Sequence, residues 1–256
     1  MFGRWLTSRM ATRLGRLPAG QALYAVGDVH GRLDLLDALL ERIRADADRH
    51  PSDEVRELVM LGDYIDRGPD SRGVVDRLID GPPPGFRQVC LMGNHEDALL
   101  AFLDGHREGL DWLSYGGLET LLSYGVPLRR MPNSPEAVAE LRQDLARTLP
   151  KSHEEFFRGG SHLYEAGDYV FVHAGVRPGT PLDRQSAGDL MWIRDDFLRS
   201  RSPLPGHIVV HGHTIVDLPQ DLHHRINVDT GAFISGRLTC LVLRGQDRRF
   251  ISTLDG

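Results

Sequence analysis

The sequence predicts an α/β fold organised around a largely parallel sheet, and two features indicate it. Before residue 97, an apolar strand runs three times into a glycine-bearing polar turn that is followed by a helical pattern. This alternation is typical of parallel strands joined by crossover helices. Two more apolar strands, at 169–175 and 207–214, end in turns that contain histidine. We therefore expect polar side chains to gather at one edge of the sheet, where ligands bind in open α/β folds.

The first three units can be assigned in chain order. The strand at 22–26 precedes GDVHG, and the segment after it carries leucine and isoleucine at helical spacing. The strand at 57–61 precedes GDYIDRG, and the helical pattern after it stops at the turn-rich GPPPG. The strand at 87–92 precedes GNHE. Each motif thus follows directly on a predicted strand.

The rest of the chain is assigned from the same patterns. Residues 97–160 are mostly helical in pattern and are expected to form a helical insertion. The segments RINVDTG and RLTCLVLR are expected to be antiparallel strands that close a sheet. Because no internal repeat or linker is evident, we expect one domain over residues 21–256, preceded by a leader at 1–20.

The leader is basic and contains no acidic residue. Its apolar side chains recur at helical spacing with arginines between them, which fits a short helix packed on the domain, a frayed tail, or an amphipathic helix on an anionic membrane surface. It lacks the continuous apolar stretch of a secretory signal. No run in the chain approaches the roughly 20 apolar residues of a membrane span.

The composition narrows the class of protein. The 256 residues carry a formal net charge of −6, so no basic excess indicates nucleic-acid binding. Cys90 and Cys240 both lie in apolar runs and are predicted to be buried thiols in a reducing compartment. We therefore expect a cytoplasmic protein without a nucleic-acid partner, and the sequence does not indicate its oligomeric state.

The five turns contribute side chains of one ligand class. Those side chains are Asp28, His30, Asp63, Asn94, His173 and either His211 or His213. Carboxylate, amide and imidazole donors without thiolate suit Mn, Fe or Zn. Each turn taken alone could be structural, as when Asn94 simply caps a helix. Five such turns, in order and each after a strand, favour a metal centre.

The ordered set GDVHG, GDYIDRG, GNHE, HAG and HGHT resembles the signature of the PPP-family serine/threonine protein phosphatases, within the calcineurin-like metallophosphoesterase superfamily. The resemblance is to the bacterial and bacteriophage lambda type and covers residues 22–244. It implies a four-layer αββα sandwich with a mixed central β-sandwich and a helical insertion. It also implies a phosphorylated protein substrate, attacked in line by hydroxide held between two divalent metal ions. Mn²⁺ is the expected metal, with Fe and Zn as alternatives.

The resemblance assigns metal ligands within the motifs. The implied ligands are Asp28, His30, Asp63, Asn94, His173 and His213. Asp63 would bridge the two metals, with Asp28 and His30 completing the first site. His211 stays open between a ligand and a residue at the edge of the substrate site, because strand alternation places it on the same face as His213.

The resemblance also assigns two arginines to the substrate phosphate. Arg67 and Arg194 match the family's phosphate-clamping arginines, whose forked donors suit phosphoryl oxygens. For Arg194 the alternative is an ion pair with Asp195 or Asp196. Met92 departs from the pattern, since it stands where the phage-type enzymes carry an arginine.

Two further residues are assigned to catalysis. His95 follows Asn94 and would protonate the leaving alkoxide. Asp66 would orient His95 and stabilise its charge.

Two other functions remain open from the sequence. A symmetrical diadenosine tetraphosphate hydrolase is the first, although those enzymes usually read GNHD and lack DRG. A binding protein with a degenerate site is the second, and the presence of every expected ligand disfavours it.

Overall fold

The computed structural model describes residues 15–129 and 132–254, excluding the side chains of residues 107–109. The first fourteen residues of the predicted leader lie outside this range, so its predicted helix is not described. Among the described residues, no helix is both long enough and apolar enough to cross a membrane.

The strands of the described residues form two mixed five-stranded sheets. In chain order they are Gln21–Val26 (β1), Val55–Met60 (β2), Phe86–Cys90 (β3), Leu163–Ala166 (β4), Tyr169–Val172 (β5), Ile208–His211 (β6), Gln220–Asp221 (β7), Arg225–Asn227 (β8), Thr239–Arg244 (β9) and Asp247–Ser252 (β10). The first sheet has the order β10–β9–β1–β2–β3 and the second β4–β5–β6–β8–β7. Strands β1, β2 and β3 are parallel to one another, as are β5, β6 and β8.

Helices cover the outer faces of the sheets. The α-helices are Leu33–Ala47 (α1), Ser71–Ile79 (α2), Asn94–Leu103 (α3), Gly117–Ser123 (α4), Pro135–Thr148 (α5), Lys151–Arg158 (α6), Ala187–Trp192 (α7), Asp195–Leu198 (α8) and Ala232–Ser235 (α9). Short 3₁₀ helices cover Arg107–Tyr115 and Leu182–Arg184. Helices α1 and α2 are the expected crossovers, and α3–α6 lie in the region of the expected helical insertion.

Side-chain alternation along the strands produces the four layers. In β1, Tyr24 and Val26 pack beneath the helices of the first sheet, whereas Leu23 packs between the two sheets. In β5, Phe171 packs between the sheets, whereas Val172 faces the layer that contains α7 and α8. Because successive side chains of a strand point to opposite faces, each sheet is buried on both sides. The predicted αββα sandwich is confirmed.

One strand pairing differs from the sequence expectation. The RINVDTG strand, β8, lies in the second sheet, parallel to β6 and antiparallel to β7. The chain reverses within the short β7–β8 hairpin, so β8 returns in the direction of β6. The RLTCLVLR strand, β9, is antiparallel to β1 and β10 as expected.

Candidate metal centre

The turns that follow the parallel strands of both sheets interlock at one edge. The backbone N–H groups of Val29 and His30 donate to the carbonyl oxygen of Asp63 at 3.0 and 2.9 Å. The N–H of Gly212 donates to the carbonyl oxygen of His173 at 2.8 Å. Motif residues far apart in the chain therefore share one backbone framework.

The backbone of these turns is held in an unusual conformation. Among the described residues other than glycine, positive φ angles occur at His30, Asp63, Asp66, Arg67 and His213. Such conformations cost on the order of 1–3 kcal/mol each and persist where the surrounding structure enforces them, which is common at functional sites. All five are residues that the sequence assigns to the site.

Two histidines are oriented as metal ligands require. The Nδ1 of His30 lies 2.8 Å from the carbonyl oxygen of Ile65, and the Nδ1 of His173 lies 2.9 Å from that of Leu61. Because a carbonyl oxygen only accepts, each Nδ1 carries a hydrogen, and Nε2 is the ring nitrogen left to bind a metal ion. Both Nε2 atoms face Asp63 Oδ2, at 3.6 and 3.4 Å.

The potential ligand atoms form two groups that share one residue. His30, Asp63 and His95 make up the first group, and Asp63, His173 and His213 the second. Only Asp63 belongs to both groups among the residues that the structure describes. The donor set of carboxylates and imidazoles fits divalent metal ions.

Asn94 joins the second group through its side-chain oxygen. Its Oδ1 lies 2.9 Å from His173 Nε2 and 2.7 Å from His213 Nδ1. The other ring nitrogen of His213, Nε2, is buried and has no hydrogen-bond partner within the described ranges. Polar atoms of three predicted ligands, Asn94, His173 and His213, therefore converge on one point.

Asp28 lies beside the centre but outside both groups. Its carboxylate accepts the backbone N–H of His213 at 3.0 and 3.2 Å. Burial raises the pKa of Asp28, and the negative charges of Asp229 and Asp63 raise it further. Sequence reasoning missed Asp229, which is buried next to Asp28; its position in VDTG, directly after a strand, was the available signal. Carboxylates crowded in this way favour nearby cations.

Asp66 and His95 form the predicted pair. His95 Nδ1 lies 2.6 Å from Asp66 Oδ2, and both residues are buried. Burial by itself lowers the pKa of His95, but the charge of Asp63 and the hydrogen bond to Asp66 raise it above its ordinary value. Because His95 also falls in the first ligand group, its geometry permits two roles, proton donor or ligand.

The guanidinium of Arg67 points into the centre. Its Nη1 and Nη2 each lie 3.0 Å from an Nε2 atom, of His30 and His95 respectively. Its Cζ lies 4.9 Å from the ring centroid of Phe233, which also packs edge-on against His30 at 5.3 Å. Phe233 was not predicted from the sequence, where it appears only as one apolar residue after VDTG.

Arg194 is exposed, and its positive charge adds to the effect of burial, which lowers the pKa of His213. Within the described part of the chain its guanidinium has no hydrogen bond or ion pair, whereas its backbone carbonyl oxygen accepts the N–H groups of Phe197 and Leu198. Asp195 pairs instead with Arg199 at 2.7 Å, and Asp196 with Arg177 at 3.0 Å. The alternative role of Arg194 as a partner of its neighbouring aspartates is therefore not observed.

His211 faces away from the ligand groups. Its buried ring packs edge-on against Phe197 of α8 at 4.9 Å, and its Nε2 lies 3.4 Å from Arg225 Nη1. The expected alternation with His213 fails because His213 lies in the turn after β6, at φ 63°. The contacts of His211 are those of a packed core residue.

Glu96 is a buried residue of GNHE to which sequence reasoning gave no role. Its carboxylate accepts the backbone N–H groups of Asp63, Tyr64 and Gly93 at 2.9, 2.8 and 3.0 Å. It thereby fixes the turn of GDYIDRG against the start of α3. The side-chain pattern gave no signal for this, because the donors are backbone groups.

We expect Glu96→Ala to lower the free energy of unfolding by about 3 kcal/mol or more, because each buried N–H group left unpaired costs about 1–3 kcal/mol. Denaturant unfolding of the metal-free protein measures this loss. Glu96→Gln, which keeps one acceptor oxygen, should lose less. Equal stability of the alanine variant and the unaltered protein would contradict the role.

Comparison with known proteins identifies the family of the chain. The model of the calcineurin-like phosphoesterase family matches residues 22–233. The chain is 30% identical to serine/threonine-protein phosphatase 1 of Salmonella typhimurium, over 85% of this chain and 89% of that protein. It is 28% identical to the asymmetrical bis(5′-nucleosyl)-tetraphosphatase PrpE of Anoxybacillus flavithermus, over 84% and 88%.

The fold is also similar to a solved structure of a cold-active protein tyrosine phosphatase. The TM-score is 0.57 at 17% identity, over 95% of this chain and 83% of that one. The family match spans most of the chain and contains all six predicted metal ligands, from Asp28 to His213. The chain belongs to the calcineurin-like phosphoesterase family.

Proposed function

We propose that the protein is a protein serine/threonine phosphatase that uses two divalent metal ions, of which Mn²⁺ is the metal to test first. The family is established and makes the protein a phosphoesterase with a His/Asp cluster suited to metal ions. What we propose beyond the family is the substrate, a phosphorylated serine or threonine side chain of a protein. The Salmonella relative supports it, as do the Asp66–His95 pair and the two arginines.

The Asp66–His95 pair is the observation that carries the proposal. A serine or threonine alkoxide is a poor leaving group and needs a proton as its bond to phosphorus breaks. The buried Asp66 carboxylate keeps the hydrogen of His95 on Nδ1 and favours the protonated ring, which can then donate from Nε2. A polyphosphate leaving group is stable as an anion and has less need of this acid.

We assign the metal ligands as the sequence predicts. Asp63 is the shared ligand, Asp28 and His30 complete one site, and the second site contains Asn94, His173 and His213. When bound, two such cations lower the pKa of a water molecule towards neutrality and offset the charge of the phosphoryl group. The Nδ1 hydrogen bonds of the histidines hold their Nε2 lone pairs ready for this role.

Arg67 and Arg194 are proposed to bind the phosphoryl oxygens from two sides. Arg67 is fixed by its contact with Phe233, whereas Arg194 is exposed and keeps its donors available. Guanidinium groups suit this role because their parallel N–H groups match two phosphoryl oxygens.

Replacing Arg194 by glutamine is expected to lower kcat/KM by roughly 10²-fold, the lower end of the loss when a donor to a developing oxyanion is removed. Because the guanidinium of Arg194 has no ion pair or hydrogen bond in the described structure, the free energy of unfolding should not change. Arg199→Gln at the opposite end of α8, which breaks only the exposed pair with Asp195, is the matched control. A loss of the same size in both variants would argue against phosphate binding by Arg194.

The proposed function is tested with metal-loaded protein and three substrates assayed side by side. We expect Mn²⁺ to stimulate hydrolysis of a phosphoserine peptide, with slower turnover of a phosphotyrosine peptide and of diadenosine tetraphosphate. Elemental analysis of the same preparation gives the number of bound metal ions. Turnover of the dinucleotide far above that of the phosphoserine peptide would overturn the proposal.

A dinucleoside tetraphosphatase is the second candidate, and the PrpE relatives favour it. Those relatives are named asymmetrical, so the products to look for are adenosine triphosphate and monophosphate, in place of the diphosphate expected from symmetrical cleavage. A groove of about 650 Å³ beside Arg67, with Phe233 in its wall, offers a ring for base stacking. Both carboxylates and arginines line this groove, namely Asp34, Asp37, Asp70, Arg32 and Arg67. Asp34 is paired with Arg32 and Asp37 with Arg77, so the charge of the groove does not separate the two candidates.

A further inference from the structure

We propose that residues 107–123, the 3₁₀ helix and α4 of the helical insertion, position the proton donor of the reaction through Trp112 and Thr120. We call these residues the insertion arm. The proposal rests on the assignment of His95 as proton donor under the proposed function. Under this proposal, part of the helical insertion contributes to the reaction by orienting buried side chains of the site.

The hydrogen bonds of Asp66 show how the insertion arm reaches the site. Asp66 Oδ2 accepts from His95 Nδ1 at 2.6 Å and from Trp112 Nε1 at 2.8 Å, while Oδ1 accepts from Thr120 Oγ1 at 2.5 Å. The indole N–H can only donate, so Oδ2 is held as an acceptor. Two of the three donors to this carboxylate therefore come from the insertion arm.

Thr120 also fixes the backbone of Asp66. Its hydroxyl hydrogen is directed to Asp66 Oδ1, and its oxygen accepts the Asp66 N–H at 2.9 Å. Ser71 Oγ, 2.9 Å from Thr120 Oγ1, must then donate to Thr120 while it accepts the same Asp66 N–H at 3.0 Å. The donors and acceptors of this buried cluster are mutually satisfied, which leaves Asp66 one orientation.

The insertion arm also holds the next residue of the DRG turn. The backbone N–H of Arg67 donates to the carbonyl oxygen of Gly116 at 3.2 Å. A Cβ atom on Gly116, which has φ 106°, would come within 2.7 Å of that nitrogen. Asp66 and Arg67 have φ angles of 74° and 66°, which are unfavourable for residues other than glycine. Contacts such as this hydrogen bond are needed to hold their backbone in that conformation.

The insertion arm is braced against the helix that carries His95. The Trp112 ring is fully buried and packs on Phe102 of α3 with ring centroids 5.0 Å apart. His95 is the second residue of α3. The insertion arm therefore contacts both partners of the Asp66–His95 pair, one by hydrogen bonds and the other through its helix.

The test compares Thr120→Val with Thr120→Ser in the full-length, Mn²⁺-loaded protein. Valine removes the hydroxyl with little change in shape, and serine keeps it. Two phosphomonoesters are used, phenyl phosphate with a poor leaving group and p-nitrophenyl phosphate with a good one. We expect Thr120→Val to lower kcat on phenyl phosphate by about 10- to 100-fold. The upper value equals the smallest loss expected when a general acid is removed outright, about 10²-fold.

A positioning role also predicts what should not change. Turnover of p-nitrophenyl phosphate should stay within about twofold in Thr120→Val, since a good leaving group needs little protonation. The number of bound metal ions should be unaltered, and Thr120→Ser should recover most of the lost rate. Thr148→Val, an exposed threonine of α5 that hydrogen-bonds only backbone carbonyls in the structure, is the matched control.

Three results would overturn the proposal: equal losses on both esters, loss of metal from Thr120→Val, or no loss on either ester. Adding Thr120→Val to Asp66→Asn should cost little more than Asp66→Asn alone, because the threonine acts through that carboxylate. Trp112→Phe should show the same leaving-group dependence. Failure of the protein to hydrolyse a phosphoserine peptide would contradict the proposed function instead, and the comparison of the two esters would still decide the positioning role.

Discussion

Replacement of Asp63 by asparagine is expected to remove bound metal and phosphoesterase activity together. Asp63 Oδ2 lies 3.6, 3.8 and 3.4 Å from the Nε2 atoms of His30, His95 and His173. Although burial acts in the opposite direction, the charges of His173 and His95 hold the pKa of Asp63 well below its ordinary value, so the carboxylate stays charged. Asparagine preserves the shape and removes the charge that two cations would share.

The expected loss in kcat is on the order of 10³-fold or more, because the metal ions supply several kcal/mol of transition-state stabilisation. Elemental analysis of the purified variant should show fewer than two metal ions per chain. Asp37→Asn, which alters an exposed carboxylate paired with Arg77 at 3.4 Å, should keep both metal and rate. Two retained metal ions and full turnover in Asp63→Asn would refute the shared-ligand assignment.

Much of the site could be predicted because the fold dictates where motif residues lie. Parallel strands bring their carboxyl ends to one edge, so polar turns that are distant in sequence are brought together. Asp66 and His95 are 29 positions apart in the chain, yet their side chains come within 2.6 Å of each other. The order of strands and motifs along the chain was therefore enough to predict that Asp66 and His95 form a pair.

The residues that were missed depend on contacts with no periodic pattern. Trp112 and Thr120 lie 46 and 54 positions from Asp66, in a segment whose helical pattern does not indicate which side chains face the site. Glu96 binds backbone N–H groups, which have no sequence signal. His211 was misplaced because alternation applies within a strand, and His213 lies beyond the end of β6.

His95→Asn is expected to keep its metal ions and to lose turnover of substrates with poor leaving groups by roughly 10²–10⁴-fold. The Nδ1 of His95 is committed to Asp66, and its Nε2 lies 3.0 Å from Arg67 Nη2, next to the arginine proposed to bind the phosphoryl group. Because a guanidinium N–H group only donates, Nε2 accepts in this contact, and it can carry the proton to be donated once Arg67 directs its N–H groups to the phosphoryl oxygens. Asparagine cannot supply it.

Because His95 also falls within the first ligand group, the decisive comparison is with His30→Asn. A ligand substitution should lose metal, whereas a proton-donor substitution should lose rate and retain metal. His223→Asn, at an exposed histidine outside both ligand groups, controls for the removal of an imidazole. If His95→Asn loses metal as His30→Asn does, His95 is a ligand, and the proton for the alkoxide must come from another group.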